Sequence, residues 1–166
     1  MAVRPVLVLP HPVLSAVAVP VGRVDDAARA LAADLFDTMR ASPACVGLAA
    51  PQIGVSVRAF VVDVTGHKKA RSCHGPFLMF DPEIVHGAEP RSAREGCMSV
   101  PDLTGDVARY GRLEVAGTNL DGEPFTFEVD AFEARAVQHE LDHLDGLLFL
   151  DRVPGPHALF ERKVYR

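Results

Sequence analysis

The stretch Gln138–Gly146 carries the pattern His-Glu-x-x-His, which constrains the fold of this chain more than any other feature. In a helix, His139 and His143 are four residues apart, so their imidazoles lie on one face, one turn from each other. Two imidazoles so arranged can bind one divalent metal at metal–nitrogen distances of about 2.0–2.1 Å, which are typical of zinc. Glu140 follows the first histidine, where it can act as general base on a metal-bound water. Two ligands leave the site incomplete, so the fold must bring a third ligand to this helix.

Length and composition predict one domain over residues 1–166, which the motif above makes a candidate catalytic domain and which we expect in the cytoplasm. Apolar residues make up 48% of the chain and charged residues 23%, which is typical of a globular protein and argues against disorder. A net charge of −5 offers no basic surface for nucleic acid, and no apolar run approaches the roughly 18–20 residues that span a bilayer. Residues 1–5 lack the charged region and apolar block of a signal peptide. We therefore expect no nucleic-acid or membrane partner.

The chain has three cysteines, Cys45, Cys73 and Cys97. An odd number without an export signal argues against a disulfide framework and predicts reduced thiols. A reduced thiol can become a thiolate and bind a metal.

Hydrophobic periodicity predicts an α+β fold with two helices. The clearest helix covers residues 25–40, where Asp25 or Asp26 can cap it and apolar side chains repeat at a helical period. The second helix covers residues 131–145 and is ended by Gly146.

Several short, mostly antiparallel strands are expected to pack around the second helix. The predicted strands are 58–64, 77–80, 83–85, 112–120 and 125–129, with a polar loop at 87–94. Asp121-Gly122 predicts a hairpin between the last two strands. Residues 1–24 are expected to form an extended arm, and residues 151–166 a short basic tail that is solvated surface rather than a ribosome contact.

Three positions compete for the third metal ligand. In metzincin-like proteases a third histidine would stand at Phe149, which cannot ligate, so that class is excluded. In thermolysin-like proteases a downstream glutamate ligates, and Glu161, five residues from the end, is a poor candidate for that role. Cys97 lies upstream beside Gly96, whose missing side chain leaves room for a thiol to approach a metal. One thiolate and two imidazoles leave a fourth position open, as catalytic sites require.

Three motifs in order give the chain a resemblance to the peptide deformylases. The family pattern Gly-x-Gly-x-Ala-Ala-x-Gln is similar to residues 45–52, and Glu-Gly-Cys-Leu-Ser is similar to residues 95–99. The pattern Gln-His-Glu-x-x-His-Leu-x-Gly matches residues 138–146 in full. The resemblance extends to about Leu150 and implies the family's fold, with a central metal-binding helix and one amphipathic N-terminal helix.

This resemblance implies removal of the formyl group from the N-terminal methionine of newly made polypeptides, with release of formate. It assigns one divalent metal to Cys97, His139 and His143, with ferrous iron as the expected ion and zinc, nickel or cobalt as alternatives. It makes Glu140 the general base. The Gln52 side-chain amide and the Met98 backbone N–H are then the expected donors to the oxyanion.

The same resemblance implies that the partner is a formyl-methionyl peptide, bound in an extended conformation, with the ribosome as one place where the two could meet. Its backbone would pair near Gly47 and the Glu95-Gly96 segment, and its methionine side chain would enter an apolar pocket. The expected pocket residues are Val46, Phe132 and Ala136. Gln138 is expected to orient the first or second motif, and Glu95 is expected to pair with Arg109.

Three positions depart from the family pattern. Cys45 replaces a glycine and adds a side chain near the substrate cleft, Met98 replaces a leucine of similar volume, and Thr104 stands where many relatives carry a basic or larger side chain. Two alternatives therefore stay open: an amidase specialised for another N-formyl or N-acyl substrate, and a non-catalytic homologue.

Overall fold

A six-stranded antiparallel sheet carries both helices in the computed structural model, which describes residues 2–163. Five strands follow one another in sequence order across the sheet, and the sixth pairs with the fourth. The strands are β1 (Gly47–Ala49), β2 (Ala59–Val62), β3 (Phe77–Cys97), β4 (Val100–Thr118), β5 (Pro124–Asp130) and β6 (Leu159–Glu161). The helices are α1 (Asp26–Ala41) and α2 (Ala131–Leu144). The predicted α+β architecture is confirmed.

The two helices lie on opposite faces of the sheet. In β2, Phe60 and Val62 pack into the cluster that contains α2, whereas Ala59 and Val61 pack into the cluster that contains α1. Successive side chains of a strand point to opposite faces, so this alternation places the sheet between the helices. Helix α2 is therefore covered by the sheet where it carries the histidine motif.

Helix α1 begins as the sequence predicts. The Asp25 side chain accepts a hydrogen bond from the Ala28 N–H at 2.9 Å, which satisfies one of the free donors of the first turn. The helix ends at Ala41, because the residue before Pro43 is driven out of the helical region, and Ser42 is extended with ψ of 117°.

Helix α2 ends at Leu144, one residue before the predicted end. Gly146 follows with φ of +74°, and a Cβ at this position would lie 2.7 Å from the Ser15 carbonyl oxygen. The glycine thus ends the helix and lets the N-terminal segment pass close by. That segment is tied down nearby, since the Ala18 N–H donates to the Leu144 carbonyl at 2.9 Å.

The strands β3 and β4 form one long hairpin that the sequence did not reveal. Residues 87–94, predicted to be a loop, belong to β3, and β4 begins at Val100 rather than at residue 112. Most side chains of residues 83–94 are at least partly exposed on both faces. They therefore lack the alternation that marks a half-buried strand, and the backbone pairing of the two strands decides their structure. The strands are consequently not all short, as had been expected.

The C-terminal segment is part of the sheet. Leu159–Glu161, within the predicted tail, pair with Leu103–Gly105 of β4. The turn predicted at Asp121-Gly122 is confirmed, since it joins β4 to β5 and Gly122 has φ of +78°. Among residues 2–163, no helix has the length and apolar character needed to cross a membrane.

Candidate metal centre

Cys97, His139 and His143 meet between the end of β3 and helix α2. Their ligand atoms all lie within 4.8 Å of one another, and Cys97 Sγ is 3.4 Å from His143 Nε2. Bonds of about 2.3 Å to sulfur and about 2.05 Å to nitrogen at a tetrahedral angle would separate these two atoms by about 3.5 Å. The donor set and its spacing therefore fit one divalent metal ion.

Cys97 reaches the helix because the hairpin is irregular at its closed end. The register of β3 and β4 shifts between Gly96 and Cys97, and Met98 and Ser99 form the two-residue turn before β4. A bulge of this kind re-aims the side chain next to it. The thiol is buried beneath α2 as a result.

Glu95 holds His139 in place from the side opposite the cluster. The Glu95 carboxylate is 2.9 Å from His139 Nδ1, and Arg109 donates to it through Nε at 2.9 Å and Nη2 at 3.0 Å. Burial would raise the pKa of Glu95, but hydrogen bonds from His139 and Arg109 outweigh it and lower the pKa to about 2. An ionised carboxylate only accepts, so Nδ1 of His139 donates and Nε2 is left for the metal.

The expected pairing of Glu95 with Arg109 is confirmed, but the Glu95 side chain is not placed to contact a substrate. It is buried and also accepts a bond from Arg135 Nη1 at 2.7 Å. Only its backbone remains for a substrate, because the carboxylate is surrounded by His139 and the two arginines.

A second buried carboxylate, Asp142, extends this network across the helix. It accepts bonds from Arg109 Nη1 at 2.6 Å and from Arg152 Nη2 at 2.9 Å. Sequence reasoning missed Asp142 and Arg152. The only signal in the sequence was that Asp142 is an acidic residue within the second helix, which was expected to be buried against the strands.

Glu140 lies beside the cluster with one carboxylate oxygen unpartnered. Within residues 2–163, Oε2 of Glu140 and Nδ1 of His143 are buried and have no hydrogen-bond partner. Burial raises the pKa of Glu140 to about 7. Buried polar atoms are normally paired, so this oxygen is suited to a partner that the chain itself does not supply.

Gly47 makes room for that carboxylate. A Cβ at position 47 would lie 2.5 Å from Glu140 Oε1. Gly54, in the same segment, is a glycine for a different reason, since its φ is +85°.

Gln52 and Met98 border the same cluster. The Gln52 amide accepts a bond from the Ala49 N–H at 2.9 Å, and its Nε2 lies 3.1 Å from Ser99 Oγ and 3.6 Å from Cys97 Sγ. Met98 stands in the hairpin turn, where its N–H is outside the paired strands. Both candidate oxyanion donors thus lie next to the ligand sulfur.

A cleft of about 320 Å³ opens onto the cluster. It is lined by every site residue predicted from the sequence except His143, which lies deeper, by Cys45, which was expected near the cleft, and by five residues that were not predicted. The predicted residues are Val46, Gly47, Gln52, Glu95, Gly96, Cys97, Met98, Phe132, Ala136, His139 and Glu140. The five others are Pro43, Ala44, Arg94, Arg135 and Arg162.

A family model of the polypeptide deformylases matches residues 3–158 of the chain, and this stretch contains all three motifs. The chain belongs to the polypeptide deformylase family. Proteins of this family are hydrolases that depend on a divalent metal, in agreement with the Cys97, His139 and His143 cluster.

Similarity to individual deformylases covers most of the chain. The peptide deformylase of Desulforudis audaxviator is 43% identical over 164 residues, which is 98% of this chain and 99% of the relative. The peptide deformylase of Brucella suis is 40% identical over 154 residues, or 92% of this chain and 86% of the relative. Among solved structures, the chain is similar to the crystal structure of the Acinetobacter baumannii peptide deformylase with Met-Ala-Ser bound, with a TM-score of 0.84 and 33% sequence identity. The alignment covers 92% of this chain and 100% of the Acinetobacter chain.

The cysteine that departs from the first deformylase motif forms part of the cleft wall. Cys45 Sγ donates to the Gly47 carbonyl at 3.1 Å, and burial raises the pKa of this thiol to about 12. Cys45 itself has no positive φ, although the preceding Ala44 does, at 57°, so a side chain at position 45 causes no backbone strain. On the opposite wall, the Phe132 ring stacks on His67 with centroids 3.8 Å apart, a contact the sequence did not indicate.

One expectation for the deformylase motifs is wrong. Gln138 does not orient the first or second motif, because its amide bonds to the backbone N–H and carbonyl of Tyr110, both at 2.9 Å. The missing side chain of Gly96 also leaves room for a second residue. The guanidinium of Arg162 fills the space beside this glycine.

Glu161, the alternative third ligand, lies on β6 outside the cluster formed within residues 2–163. The thermolysin-like alternative is therefore wrong.

Proposed function

We propose that this chain removes the formyl group from the N-terminal methionine of newly made polypeptides and releases formate. The observation that carries the proposal is the meeting of Cys97, His139 and His143 beside the buried Glu140, at the bottom of an open cleft. Membership of the polypeptide deformylase family supports the same reaction.

In this proposal Cys97, His139 and His143 hold the metal, with Glu95 fixing the His139 ring. A divalent cation bound there would polarise the formyl carbonyl and lower the pKa of water. Glu140 takes a proton from the attacking water and passes it to the leaving amine, for which a pKa near neutrality is well suited. Its unpartnered oxygen leaves it free to do so.

Gln52 and Met98 stabilise the charge that develops on the formyl oxygen. The Gln52 amide nitrogen lies beside Cys97 Sγ, and the Met98 N–H is outside the strand pairing. Loss of one such donor typically lowers the rate by about 10²–10³.

The methionine side chain of the substrate enters the cleft between Val46, Phe132 and Ala136. These three line the cleft and adjoin the same apolar cluster. The peptide backbone lies extended along Gly47 and Gly96, which carry no side chains of their own.

Ferrous iron is the metal we propose, with zinc, nickel or cobalt as substitutes, since thiolate and imidazole ligands suit all four. An iron-loaded protein would lose activity in air, because an oxidised Cys97 no longer ligates. We further propose that the chain acts in the cytoplasm on peptides emerging from the ribosome.

Formate release tests this function. Protein loaded with Fe(II) or Ni(II) should release formate from formyl-Met peptides, and failure with both metals would refute the proposal.

Two variants test the roles of single residues. Glu140→Gln should retain metal and lose activity, whereas Glu128→Gln, which replaces an exposed glutamate on β5, should leave both unchanged. Cys97→Ser should lower the metal content, and undiminished metal would show that the third ligand is elsewhere.

The second candidate function is that of an amidase specialised for another N-formyl or N-acyl substrate. The Cys45 side chain in the cleft wall favours it, because it alters the space in which the substrate binds. Formyl-peptides, acetyl-peptides and formylated small amines should be compared in the same formate and acetate assays. A preference for any substrate over formyl-Met peptides would support the specialised amidase. Metal binding without turnover of any substrate would support the non-catalytic homologue.

A further inference from the structure

Three arginines line the cleft, and two of them already have carboxylate partners. Arg135 bonds to Glu95 at 2.7 Å, and Arg94 bonds to Asp106 at 2.7 Å. The Arg162 guanidinium donates to the Cys97 carbonyl at 3.3 Å, and no carboxylate of residues 2–163 lies within ion-pair distance of it. Arg162 therefore presents an uncompensated positive charge at the cleft.

The C-terminal strand places Arg162 there. Phe160 pairs with Thr104 in the sheet, and the Arg162 N–H donates to the Asp102 carbonyl at 2.9 Å. Residues 160 and 162 of an extended chain point to the same side. The Arg94 guanidinium lies 3.6 Å over the Phe160 ring, so Phe160, Arg94 and Arg162 form a continuous surface at the rim of the cleft.

Gly96 allows the guanidinium to reach the backbone of the cleft. A Cβ at position 96 would collide with Arg162 Nη2. The cation thus rests on the segment along which, under the proposed function, the substrate backbone lies. One hydrogen bond to a carbonyl leaves most of the five guanidinium donors available to a ligand.

We propose that Arg162 binds a carboxylate on the substrate peptide downstream of the formyl-methionine. This inference rests on the proposed function and names a substrate class, formyl-peptides that carry an acidic group in their first few residues. A guanidinium matches a carboxylate through two parallel N–H bonds. The carboxylate is an Asp or Glu side chain in a long chain, or the free C-terminus in a short peptide.

Kinetics on matched peptides test this proposal. Formyl-Met tetrapeptide amides with Asp at position two, three or four should be compared with peptides that carry Asn at the same position. For at least one position, Asp should lower KM by about fivefold, with kcat unchanged, since partly exposed ion pairs contribute this much. The advantage should shrink at high salt. A tripeptide with a free C-terminus, compared with its amide, shows whether a terminal carboxylate is bound instead.

The variants distinguish Arg162 from general charge effects. Arg162→Gln should abolish the preference, and Arg162→Lys should retain part of it. Lys163→Gln removes the same charge from the next residue, which does not line the cleft, and should keep the full preference. The proposal is overturned by equal KM for Asp, Asn, acid and amide peptides, by a preference that survives in Arg162→Gln, or by its loss in Lys163→Gln.

A binding measurement separates this inference from the proposed function. The deformylated peptides Met-X-X-X-amide can be titrated calorimetrically into the metal-loaded protein. If no formyl-peptide releases formate, the proposed deformylase function is refuted. Tighter binding of Asp over Asn peptides that depends on Arg162 would still support the carboxylate site, and equal binding would overturn it.

Discussion

The carboxylate of Glu95 accepts a hydrogen bond from Nδ1 of His139 at 2.9 Å, although 44 residues separate the two in the chain. This bond fixes the imidazole tautomer and turns Nε2 towards Cys97 and His143. The same carboxylate balances the charge of the buried Arg109. The metal centre and the sheet beneath it therefore share one ionised group.

Replacing that group should affect both metal binding and folding. Glu95→Gln should lower metal affinity by about 10–100-fold, because His139 is no longer oriented. It should lower the free energy of unfolding by about 3 kcal/mol, because the buried Arg109 loses one of its two ionised partners and keeps only Asp142. Metal competition titration and urea unfolding measure the two effects. In the control, Glu89→Gln removes an exposed partner 3.6 Å from Arg112 and should change stability by less than about 0.5 kcal/mol. Equal effects of the two substitutions would contradict this account.

Gly47→Ala should inactivate the protein without removing its metal. The added Cβ would lie 2.5 Å from Glu140 Oε1 and push the carboxylate from its position, since the three atoms nearest to it all belong to Glu140 and none to a metal ligand. We expect kcat to fall by about 100-fold, the lower range of a general base's contribution. Formate release and metal content should be measured together. Gly155→Ala is the control, since its Cβ would come only to 3.1 Å of the His157 ring, on a surface turn. Full activity in Gly47→Ala would show that Glu140 tolerates displacement.

Glu140 should make the stability of the metal-free protein depend on pH. Its pKa is about 7 in the folded protein against 4.5 unfolded, so its contribution is fully present below pH 4.5 and is lost as the pH rises through 7. A shift of this size corresponds to on the order of 3 kcal/mol. Urea unfolding at pH 5 and pH 8 should show Glu140→Gln becoming more stable relative to the wild type at the higher pH. A constant difference between the two proteins would show that burial does not perturb this carboxylate.

Cys45 should resist alkylation at neutral pH. With a pKa of about 12, fewer than about one thiol in ten thousand is a thiolate at pH 7.5, and the thiolate is the reactive form. Iodoacetamide should therefore label the exposed Cys73 first in the metal-loaded protein, with Cys45 labelled only after unfolding. Mass spectrometry of digested samples over time measures both rates, and Cys73→Ser identifies the fast site. Comparable rates at the two positions would mean that Cys45 is more open to solvent than the structure shows.

The parts of the fold that the sequence predicted are those set by local spacing. The positions of both helices follow from a helical period and from capping residues within a few positions, Asp25 and Gly146 among them. The pairing of His139 with His143 is likewise a property of one helical turn. The long hairpin was missed because residues 83–94 of β3 are exposed on both faces, so no local pattern marks them as strand.

The sequence by itself determined which residues can supply chemistry: the two imidazoles, the thiol of Cys97 and the carboxylate of Glu140. Their types and short spacings suffice, since a helix turn and a short motif are local structures. Only the tertiary structure decided that Glu95 orients His139, that Gln138 serves the Tyr110 backbone, and that Arg162 reaches the cleft. These contacts span 28 to 65 residues, and they form only when strands that are distant in sequence pair within one sheet.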